Sequence, residues 1–241
     1  MQAFILAGGY GTRFSEMTDL IPKPMIEIGG FPILVHIMSH YSSYGVTEFV
    51  ILAGYKHQII ENYFNSEGLG LVQRNLWSVQ VIDTGLGTST AGRLLSVSNI
   101  LPKEFMLTYG DGVSDVDIHQ LYAVHQSAGT VGTVTAVRPP ARFGTIEFAN
   151  GKVTSFSEKD PQKSGWINGG FFCFSREILD YINNRNISLE SEPLTQLTSE
   201  GQLGVHPHEG FWLPMDTLRD QRSLQEIWTN GLARWNCAAL L

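Results

Sequence analysis

The sequence predicts an α/β protein with a doubly wound, mostly parallel, Rossmann-like sheet and a β-rich insert. Short apolar runs alternate with amphipathic stretches along the first 138 residues, and this alternation is typical of parallel sheets built from strand–helix–strand units. The chain has 241 residues, of which 43% are hydrophobic, which suits one α/β domain with a substantial core. Neither a Pro/Ser-rich linker nor a sequence repeat divides it, so we expect a single domain over residues 1–241.

The first half of the chain supplies the predicted parallel sheet. The runs that predict strands are QAFILAG, EFVILAG, WSVQVIDT, EFMLTYGDG and TVGTVTAV. Helices are predicted for the stretches PILVHIMSHYSSYG, YKHQIIENYF, AGRLLSVSNIL and VDIHQLYAVHQSAG. In such sheets ligands bind beyond the carboxyl ends of the strands, where the strand order reverses. Four loops meet this description: Gly8–Arg13, Gly54–Lys56, Asp83–Arg93 and Gly110–Asp115.

From about residue 139 the pattern becomes more antiparallel. The stretch FGTIEFANGKVTSFSEK carries an Asn-Gly pair between two alternating runs, which predicts a β-hairpin. Helices are predicted for REILDYINNR and EPLTQLTSEG, a strand for QLGVHPHEGFWLPM, and a closing helix for TLRDQRSLQEIWTNG. We therefore divide the domain into about 1–138, about 139–215 and a closing segment at 216–241.

Composition excludes several classes of protein. The net charge is −7 and no run is rich in Lys or Arg, which argues against a nucleic-acid partner held by phosphate contacts. No apolar run approaches the roughly 20 residues that a membrane span needs, and the strand-like start predicts no signal peptide. The two distant cysteines, Cys173 and Cys237, make no disulfide framework, so we expect a buried thiol and a cytoplasmic, reducing compartment.

A glycine-rich turn lies within residues 4–25, FILAGGYGTRFSEMTDLIPKPM. It matches the dinucleotide-binding fingerprint only in part, because Phe14 occupies the place of the third glycine, and it lacks the Gly-Lys-Ser/Thr of a P-loop. Backbone amides in the turn and the guanidinium of Arg13 would form an anion cradle, and Lys23 between two prolines adds a point charge. On these residues alone, a triphosphate site, a dinucleotide site and a plain tight turn remain open.

Two aspartates are candidate metal ligands, since hard divalent cations prefer oxygen donors. Asp111 lies between two glycines directly after a predicted strand, and Asp216 precedes the closing helix. Taken alone, Asp111 is equally typical of a turn and Asp216 of a helix N-cap. Asp111 is therefore either a metal ligand or a turn residue, and Asp216 is either a metal ligand or an N-cap.

In combination the motifs resemble those of the sugar-phosphate nucleotidylyltransferases. The stretch AGGYGTRFSEMTDLIPKPM looks like the signature G-G-x-G-T-R-x(n)-P-K-P-M of these enzymes. The match continues through YGDGVSDVDI, RFGTIEF, FSEKDP, INGGFF, EPLTQL and FWLPMDTLRD. This order of blocks resembles most closely the glucose-1-phosphate cytidylyltransferases, from Ala3 to about Trp235. The resemblance implies that a sugar-1-phosphate oxygen attacks the α-phosphorus of CTP and that pyrophosphate leaves.

The resemblance also implies a set of nucleotide and metal contacts. Mg²⁺ would be held by Asp111 and Asp216, with Arg13 on the leaving pyrophosphate and Lys23 near the α-phosphate. Catalysis would then come from holding two anions together and neutralising charge, without a covalent enzyme intermediate. The implied nucleotide-binding residues, from about 1–138, are Leu6, Ala7, Gly8, Gly9, Gly11, Thr12, Thr90, Gly92 and Gly110.

The acceptor is expected to bind in the part at about 139–215. Lys159 would meet its phosphate, while Glu158 and Asn168 would bond its hydroxyl groups. Without the resemblance, the Glu-Lys pair is equally typical of a solvated surface. The implied acceptor-binding residues are Gly144, Glu158, Lys159, Asn168, Gly169 and Gly170.

Two departures from the family pattern bear on acceptor and assembly. The connection at 65–80 is shorter than usual, and Asp160 stands beside Lys159. The expected partners are CTP and a phosphorylated small molecule, with a homo-oligomer left open. The alternatives are a cytidylyltransferase for another acceptor, an enzyme that uses UTP or dTTP, and a silent nucleotide-binding subunit. A nicotinamide dehydrogenase is disfavoured by Phe14.

The histidines give no metal-ligand pattern. His206 and His208 share one face of a predicted strand, but no further ligands are spaced for zinc, so we expect structural or surface roles. The histidines on helical patterns are expected to face solvent or a partner subunit: His36, His40, His119 and His125.

Overall fold

The computed structural model describes residues 1–11, 18–140, 145–157, 165–235 and 238–240. Its strands are β1 Gln2–Ala7, β2 Glu27–Ile28, β3 Phe31–Pro32, β4 Glu48–Ala53, β5 Ser78–Asp83, β6 Glu104–Tyr109, β7 Gly112–Ser114, β8 Gly132–Val137, β9 Thr145–Ala149, β10 Lys152–Ser157, β11 Ile167–Ser175, β12 Leu203–His208 and β13 Trp212–Pro214. Its α-helices are α1 Ile33–Ser42, α2 His57–Asn65, α3 Leu69–Arg74, α4 Thr90–Ser96, α5 Ile118–Ala128, α6 Glu192–Ser199 and α7 Leu218–Thr229. Short 3₁₀ helices lie at Lys23–Met25, Arg176–Tyr181 and Ala238–Leu240. No helix within these described ranges is long and apolar enough to cross a bilayer.

Seven strands form the central sheet, in the order β12-β8-β11-β6-β1-β4-β5. All neighbouring strands are parallel except β11, which is antiparallel to both β6 and β8. The chain runs outward from β1 through β4 to β5 and then returns to β6 on the other side of β1. The strand order therefore reverses between β1 and β6, where α/β sheets bind ligands. The predicted mostly parallel α/β fold is confirmed.

Hydrophobic cores cover both faces of the sheet, as expected for a doubly wound arrangement. The alternation of side chains along β1 sends Ala3, Ile5 and Ala7 into one core and Phe4 and Leu6 into the other. Helix α1 packs in the first core, whereas α4 packs in the second. The predicted buried thiol is confirmed, since Cys173 is fully buried on β11.

The later part of the chain contains antiparallel pairs, as predicted. Strands β9 and β10 form a hairpin whose turn residues Asn150 and Gly151 both have positive φ angles, of 52° and 76°. Two helix predictions were wrong in extent. A 3₁₀ helix at Arg176–Tyr181 replaces the longer predicted α-helix, and α4 ends at Ser96, just before the β-branched Val97.

Helix α3 was not predicted. It lies in the short connection at 65–80, where no apolar periodicity marks a helix, and none of its residues is fully buried. Helix α7 begins with a capping box in which the side chains of Thr217 and Asp220 satisfy each other's backbone amides. This cap fixes the residue that precedes it, Asp216.

Three of the four helical histidines are buried, so the prediction that they face solvent or a partner is wrong for them. His36, His40 and His125 are 0%, 3% and 3% exposed, and His119 is exposed. Each buried ring contacts a carbonyl or hydroxyl oxygen inside the protein. The helical period identified their helices but did not distinguish which polar residues lie on the inner face.

His36 should make the stability of the protein depend on pH. Its Nδ1 accepts a hydrogen bond of 3.1 Å from Trp235 Nε1, so its Nε2–H donates to the Ile28 carbonyl, at 2.8 Å. Burial lowers the pKa of His36 from 6.5 to about 4. Between these values the unfolded chain binds a proton that the folded protein excludes. We therefore expect His36 to contribute about 3 kcal/mol of stability that is present above pH 6.5 and lost as the pH falls towards 4.

Urea unfolding of the wild type and His36→Gln at several pH values between 4 and 7 checks this prediction. The variant is less stable at neutral pH, but its free energy of unfolding should fall less steeply on acidification. Because His40 and His125 titrate in both proteins, the difference in slope isolates His36. Parallel pH profiles would contradict the prediction.

Candidate active site

A cavity in the described part of the chain lies where the strand order reverses. It has a volume of about 450 Å³ and is formed by the loops that follow β1, β5 and β6. A second cavity of about 200 Å³ adjoins it, and Tyr109 and Asp111 line both. We call these the nucleotide cavity and the acceptor cavity, after the predictions that fall in each. The nucleotide cavity is lined by Leu6, Ala7, Gly8, Gly9, Gly11, Lys23, Pro24, Thr88, Ser89, Thr90, Arg93, Tyr109, Gly110, Asp111 and Ser188.

Bare backbone is required at the ends of β1 and β6. A side chain on Gly8 would lie 2.1 Å from the guanidinium of Arg93, and one on Gly110 would lie 2.9 Å from the Leu6 carbonyl oxygen. Gly110 N donates to that same carbonyl, at 2.9 Å. Gly9 has open space around it, and Gly11 adopts a positive φ of 65°. A hydrogen bond therefore joins the two strand ends, and the backbone of both is exposed to the cavity.

Arg93 holds the nucleotide cavity in shape, and the sequence analysis missed it. The side chain is 4% exposed, and its guanidinium donates to the carbonyl oxygens of Gly8, Ala53 and Gly85 at 2.8, 2.9 and 3.2 Å. It also donates to the hydroxyl of Thr84. These acceptors lie at the ends of β1, β4 and β5. Burial lowers the pKa of Arg93. The one feature of the sequence that could have indicated this role is a charged residue among the apolar residues of a short helix.

Arg93→Met is expected to lower the free energy of unfolding by about 3 kcal/mol, because several buried carbonyl groups lose their donor. Affinity for the nucleotide should fall more than affinity for the acceptor, since the carbonyls lie beside the nucleotide cavity. Urea unfolding and titration calorimetry measure the two effects. Arg74→Met is the matched control, because exposed Arg74 also donates to a carbonyl, at 3.0 Å, but lines neither cavity. Equal free energies of unfolding for the Arg93 and Arg74 variants would contradict this role.

Lys23, Asp111 and Asp216 meet at one point. Lys23 Nζ lies 2.7 Å from Asp111 Oδ2 and 2.7 Å from Asp216 Oδ1, so these two oxygens are at most twice that distance apart. Lys23 is 8% exposed, in the 3₁₀ helix between its two prolines. Burial alone would lower the pKa of Lys23, but the charges and hydrogen bonds of the two aspartates outweigh it, and the pKa is raised.

Strand pairing explains how two distant aspartates meet. Strands β7 and β13 form an antiparallel ladder in which Gly112 faces Pro214, and Met215 N donates to the Asp111 carbonyl oxygen at 2.8 Å. Asp216 follows directly, and its backbone N–H donates to Asp220 in the cap of α7, at 3.2 Å. The N-cap of α7 is Thr217, so the interpretation of Asp216 as an N-cap is wrong, and Asp216 instead faces Asp111 across the Lys23 ammonium.

The two carboxylates fit a hard divalent cation. They already surround one positive group, the Lys23 ammonium, and a cation such as Mg²⁺ takes few protein carboxylates and completes its shell with water and phosphate oxygens. No group of three or more His, Cys, Asp or Glu residues in the described ranges could hold a metal by itself. His208 instead pairs with Asp115, at 2.9 Å, which agrees with a structural role.

The acceptor cavity is built around the Asn-Gly-Gly segment of β11, where the register of this strand shifts against β8. Asn168 Oδ1 accepts from Gly170 N at 2.8 Å, and Trp212 Nε1 donates to the Gly169 carbonyl at 2.8 Å. Gly170 has a φ of 78°, and a side chain on Gly169 would lie 2.7 Å from Val137. The cavity is lined by Thr108, Tyr109, Asp111, Gly112, Asn168, Gly169, Gly170, Phe171, Trp212, Pro214 and Asp216.

Most of the predicted site residues within the described ranges line one of these two cavities. Gly92 does not line either cavity. A side chain there would lie 2.0 Å from the Arg185 carbonyl oxygen, so this glycine allows the 183–191 segment to pack on α4. The remaining predicted residues lie outside the described residues: Thr12, Arg13, Gly144, Glu158 and Lys159. Besides Arg93, the sequence analysis missed Tyr109, Glu190 and Trp212.

Solved structures with this fold include sugar-nucleotide enzymes. The chain superimposes on a putative glucose-1-phosphate thymidylyltransferase from Bacillus anthracis with a TM-score of 0.75 and 18% identity, covering 94% of each chain. It matches HddC from Yersinia pseudotuberculosis with a TM-score of 0.73 and 23% identity, covering 94% of this chain and 99% of that one. At these identities the comparisons establish the fold.

Sequence comparisons establish the family. The chain is 42% identical to the glucose-1-phosphate cytidylyltransferase of Salmonella typhimurium over 253 aligned positions, covering 98% of both chains. It is 41% identical to a probable glucose-1-phosphate cytidylyltransferase of Bacillus subtilis, covering 98% and 99%. The family model described as nucleotidyl transferase matches residues 2–214. With this match across the sheet and both cavities, the chain belongs to the nucleotidyl transferase family and is a nucleotidyltransferase.

Proposed function

We propose that the protein joins CTP and glucose 1-phosphate to give CDP-glucose and pyrophosphate. An oxygen of the sugar phosphate attacks the α-phosphorus of CTP, and the bond from that phosphorus to the bridging oxygen of pyrophosphate breaks. The observation that carries the proposal is the meeting of Lys23, Asp111 and Asp216 at the junction of the two cavities. The relatives named above make the choice of CTP and glucose 1-phosphate the best supported.

Each cavity is assigned to one of the two substrates. The loops after β1, β5 and β6 would bind CTP, and backbone carbonyls at Leu6–Gly8 are candidate acceptors for the amine that distinguishes cytosine from uracil. Asn168, Gly169 and Gly170 would bind the sugar phosphate. We keep as a prediction the nucleotide-binding part at about 1–138, the acceptor-binding part at about 139–215 and the closing segment at 216–241.

Charge neutralisation is the chemical task of the centre, because two phosphorylated substrates repel each other. Asp111 and Asp216 would hold Mg²⁺, which when bound neutralises charge on the phosphates. The Lys23 ammonium would donate to the α-phosphate oxygens, and we keep Arg13 as the expected partner of the pyrophosphate. No nucleophilic side chain is needed, since binding and orientation bring the reacting groups together. We further propose a cytoplasmic location and leave a homo-oligomer as a prediction.

A substrate screen tests the proposal. Pyrophosphate release is measured for CTP, UTP, dTTP, GTP and ATP against a panel of sugar 1-phosphates and other phosphorylated small molecules, with Mg²⁺ and with EDTA. The highest rate is expected for CTP with glucose 1-phosphate, and only with the metal. A preference for UTP or dTTP, or for another acceptor, would replace this substrate pair, and no release with any pair would indicate a binding subunit.

A further inference from the structure

Tyr109 forms the partition between the two cavities. It is the last residue of β6, two positions before Asp111, and it lines both the nucleotide cavity and the acceptor cavity. A group in this place controls how far apart two bound substrates lie. Direct displacement requires the attacking oxygen within about 3–3.5 Å of the phosphorus, so this distance affects the rate strongly.

The ring of Tyr109 packs closely against neighbouring residues of β11. A side chain on Gly170 would lie 2.4 Å from Tyr109 Cδ2, so that glycine is needed for the ring to pack against β11. Phe172 contacts the ring edge to face, with centroids 5.7 Å apart. The second glycine of the Asn-Gly-Gly segment is therefore explained by the packing of the Tyr109 ring as well as by its positive φ angle.

The hydroxyl of Tyr109 connects the two sides. It donates a hydrogen bond to Glu190 and accepts one of 3.0 Å from Asn168 Nδ2. The other carboxylate oxygen of Glu190 accepts from Thr90 Oγ1 at 3.0 Å, and Thr90 in turn accepts from Leu189 N at 2.7 Å. A continuous polar chain thus runs from Thr90 in the nucleotide cavity to Asn168 in the acceptor cavity.

The two ends of this chain are not equally dependent on it. The loop that carries Thr90 is also tied down by Ser89, whose backbone and side chain donate to the carbonyls of Arg185 and Asn186 at 3.2 and 3.0 Å. On the acceptor side, Asn168 Oδ1 accepts from Gly170 N within the same strand, but the Asn168 amide nitrogen donates to Tyr109 alone among its described hydrogen bonds. Loss of the chain should therefore release the Asn168 amide nitrogen, whereas the hydrogen bonds of Ser89 keep the nucleotide-side loop in place.

We propose that Tyr109 and Glu190 are positioning residues that set the acceptor cavity relative to the nucleotide cavity. This inference rests on the proposed function, since it assigns the two cavities to the two substrates. Neither residue needs to donate or accept a proton in the reaction. Their contribution is to hold the acceptor phosphate at attacking distance from the nucleotide.

Steady-state kinetics of Tyr109→Phe, Glu190→Ala and the double variant test the proposal. Each single variant should lower kcat about tenfold and raise KM for the acceptor several-fold, while KM for the nucleotide changes less than about twofold. The double variant should lose less than the two single losses combined, because both changes break the Tyr109–Glu190 hydrogen bond. Glu190→Gln keeps an oxygen that accepts from Tyr109 and should recover most of what Glu190→Ala loses.

Tyr181→Phe is the matched control, because its hydroxyl also donates to a glutamate, Glu200 Oε2, at 2.8 Å, away from both cavities. It should behave as wild type. Equal changes in KM for both substrates, additive losses in the double variant or wild-type kinetics of Tyr109→Phe would overturn the inference. All variants are assayed on whichever substrate pair the wild-type screen identifies. A different pair would therefore revise the proposed function, whereas the kinetic pattern alone judges the role of Tyr109 and Glu190.

Discussion

Asp111→Asn is expected to lower kcat by a factor on the order of 10³ while leaving the fold intact. A divalent cation can supply several kcal/mol of transition-state stabilisation, and the variant removes one of the two carboxylates proposed to hold it. The asparagine oxygen can still accept from Lys23 Nζ, and Asp216 continues to balance its charge. Pyrophosphate release measures the loss of turnover, and thermal melting checks the fold.

Asp180→Asn is the control for this experiment. Asp180 is exposed in the 3₁₀ helix at Arg176–Tyr181 and lines neither cavity, so the variant has the same charge change without a change at the candidate site. Titration with Mn²⁺ should show weaker binding to Asp111→Asn than to Asp180→Asn. Pyrophosphate release at the wild-type rate from Asp111→Asn would remove the central element of the proposed function.

The sequence was most informative where chemistry depends on local backbone. Gly8, Gly110 and Asp111 lie in turns that directly follow strands, so the rule that ligands bind at the carboxyl ends of strands was enough to select them. The Asn-Gly hairpin was predicted for the same reason, because its two residues adopt the turn conformation by themselves. Such features require only a few neighbouring residues, which a single sequence contains.

Features that depend on several distant segments could not be predicted from one sequence. Arg93 has its role because three strand ends present carbonyls to it, and nothing within its own helix indicates that geometry. Gly92, which the resemblance places against the nucleotide, also lies where a side chain would meet the Arg185 carbonyl oxygen, and this contact with a distant segment is not visible in the sequence. The buried position of the His36 ring likewise depends on Trp235, near the other end of the chain.

Lys23→Met is expected to change turnover and metal binding in opposite directions. The lysine ammonium now occupies the position between Asp111 and Asp216 that a divalent cation would take, so the two compete for the same pair of carboxylates. Methionine fills similar buried volume without charge, which leaves two carboxylates close together with less compensation. The variant should therefore melt at a lower temperature than wild type, and its melting temperature should rise more when Mg²⁺ or Mn²⁺ is added.

The same variant should lose activity, because the ammonium is also proposed to stabilise charge on the α-phosphate. A decrease in kcat on the order of 10² is the expected size for loss of one preorganised cation. Lys103→Met, an exposed lysine away from both cavities, should alter neither property. In the double variant Lys23→Met with Asp216→Asn, the extra stabilisation by metal should disappear, since one of the two competing carboxylates is gone. A Lys23→Met protein that binds Mn²⁺ no more tightly than wild type would mean that the lysine and the metal do not share this position.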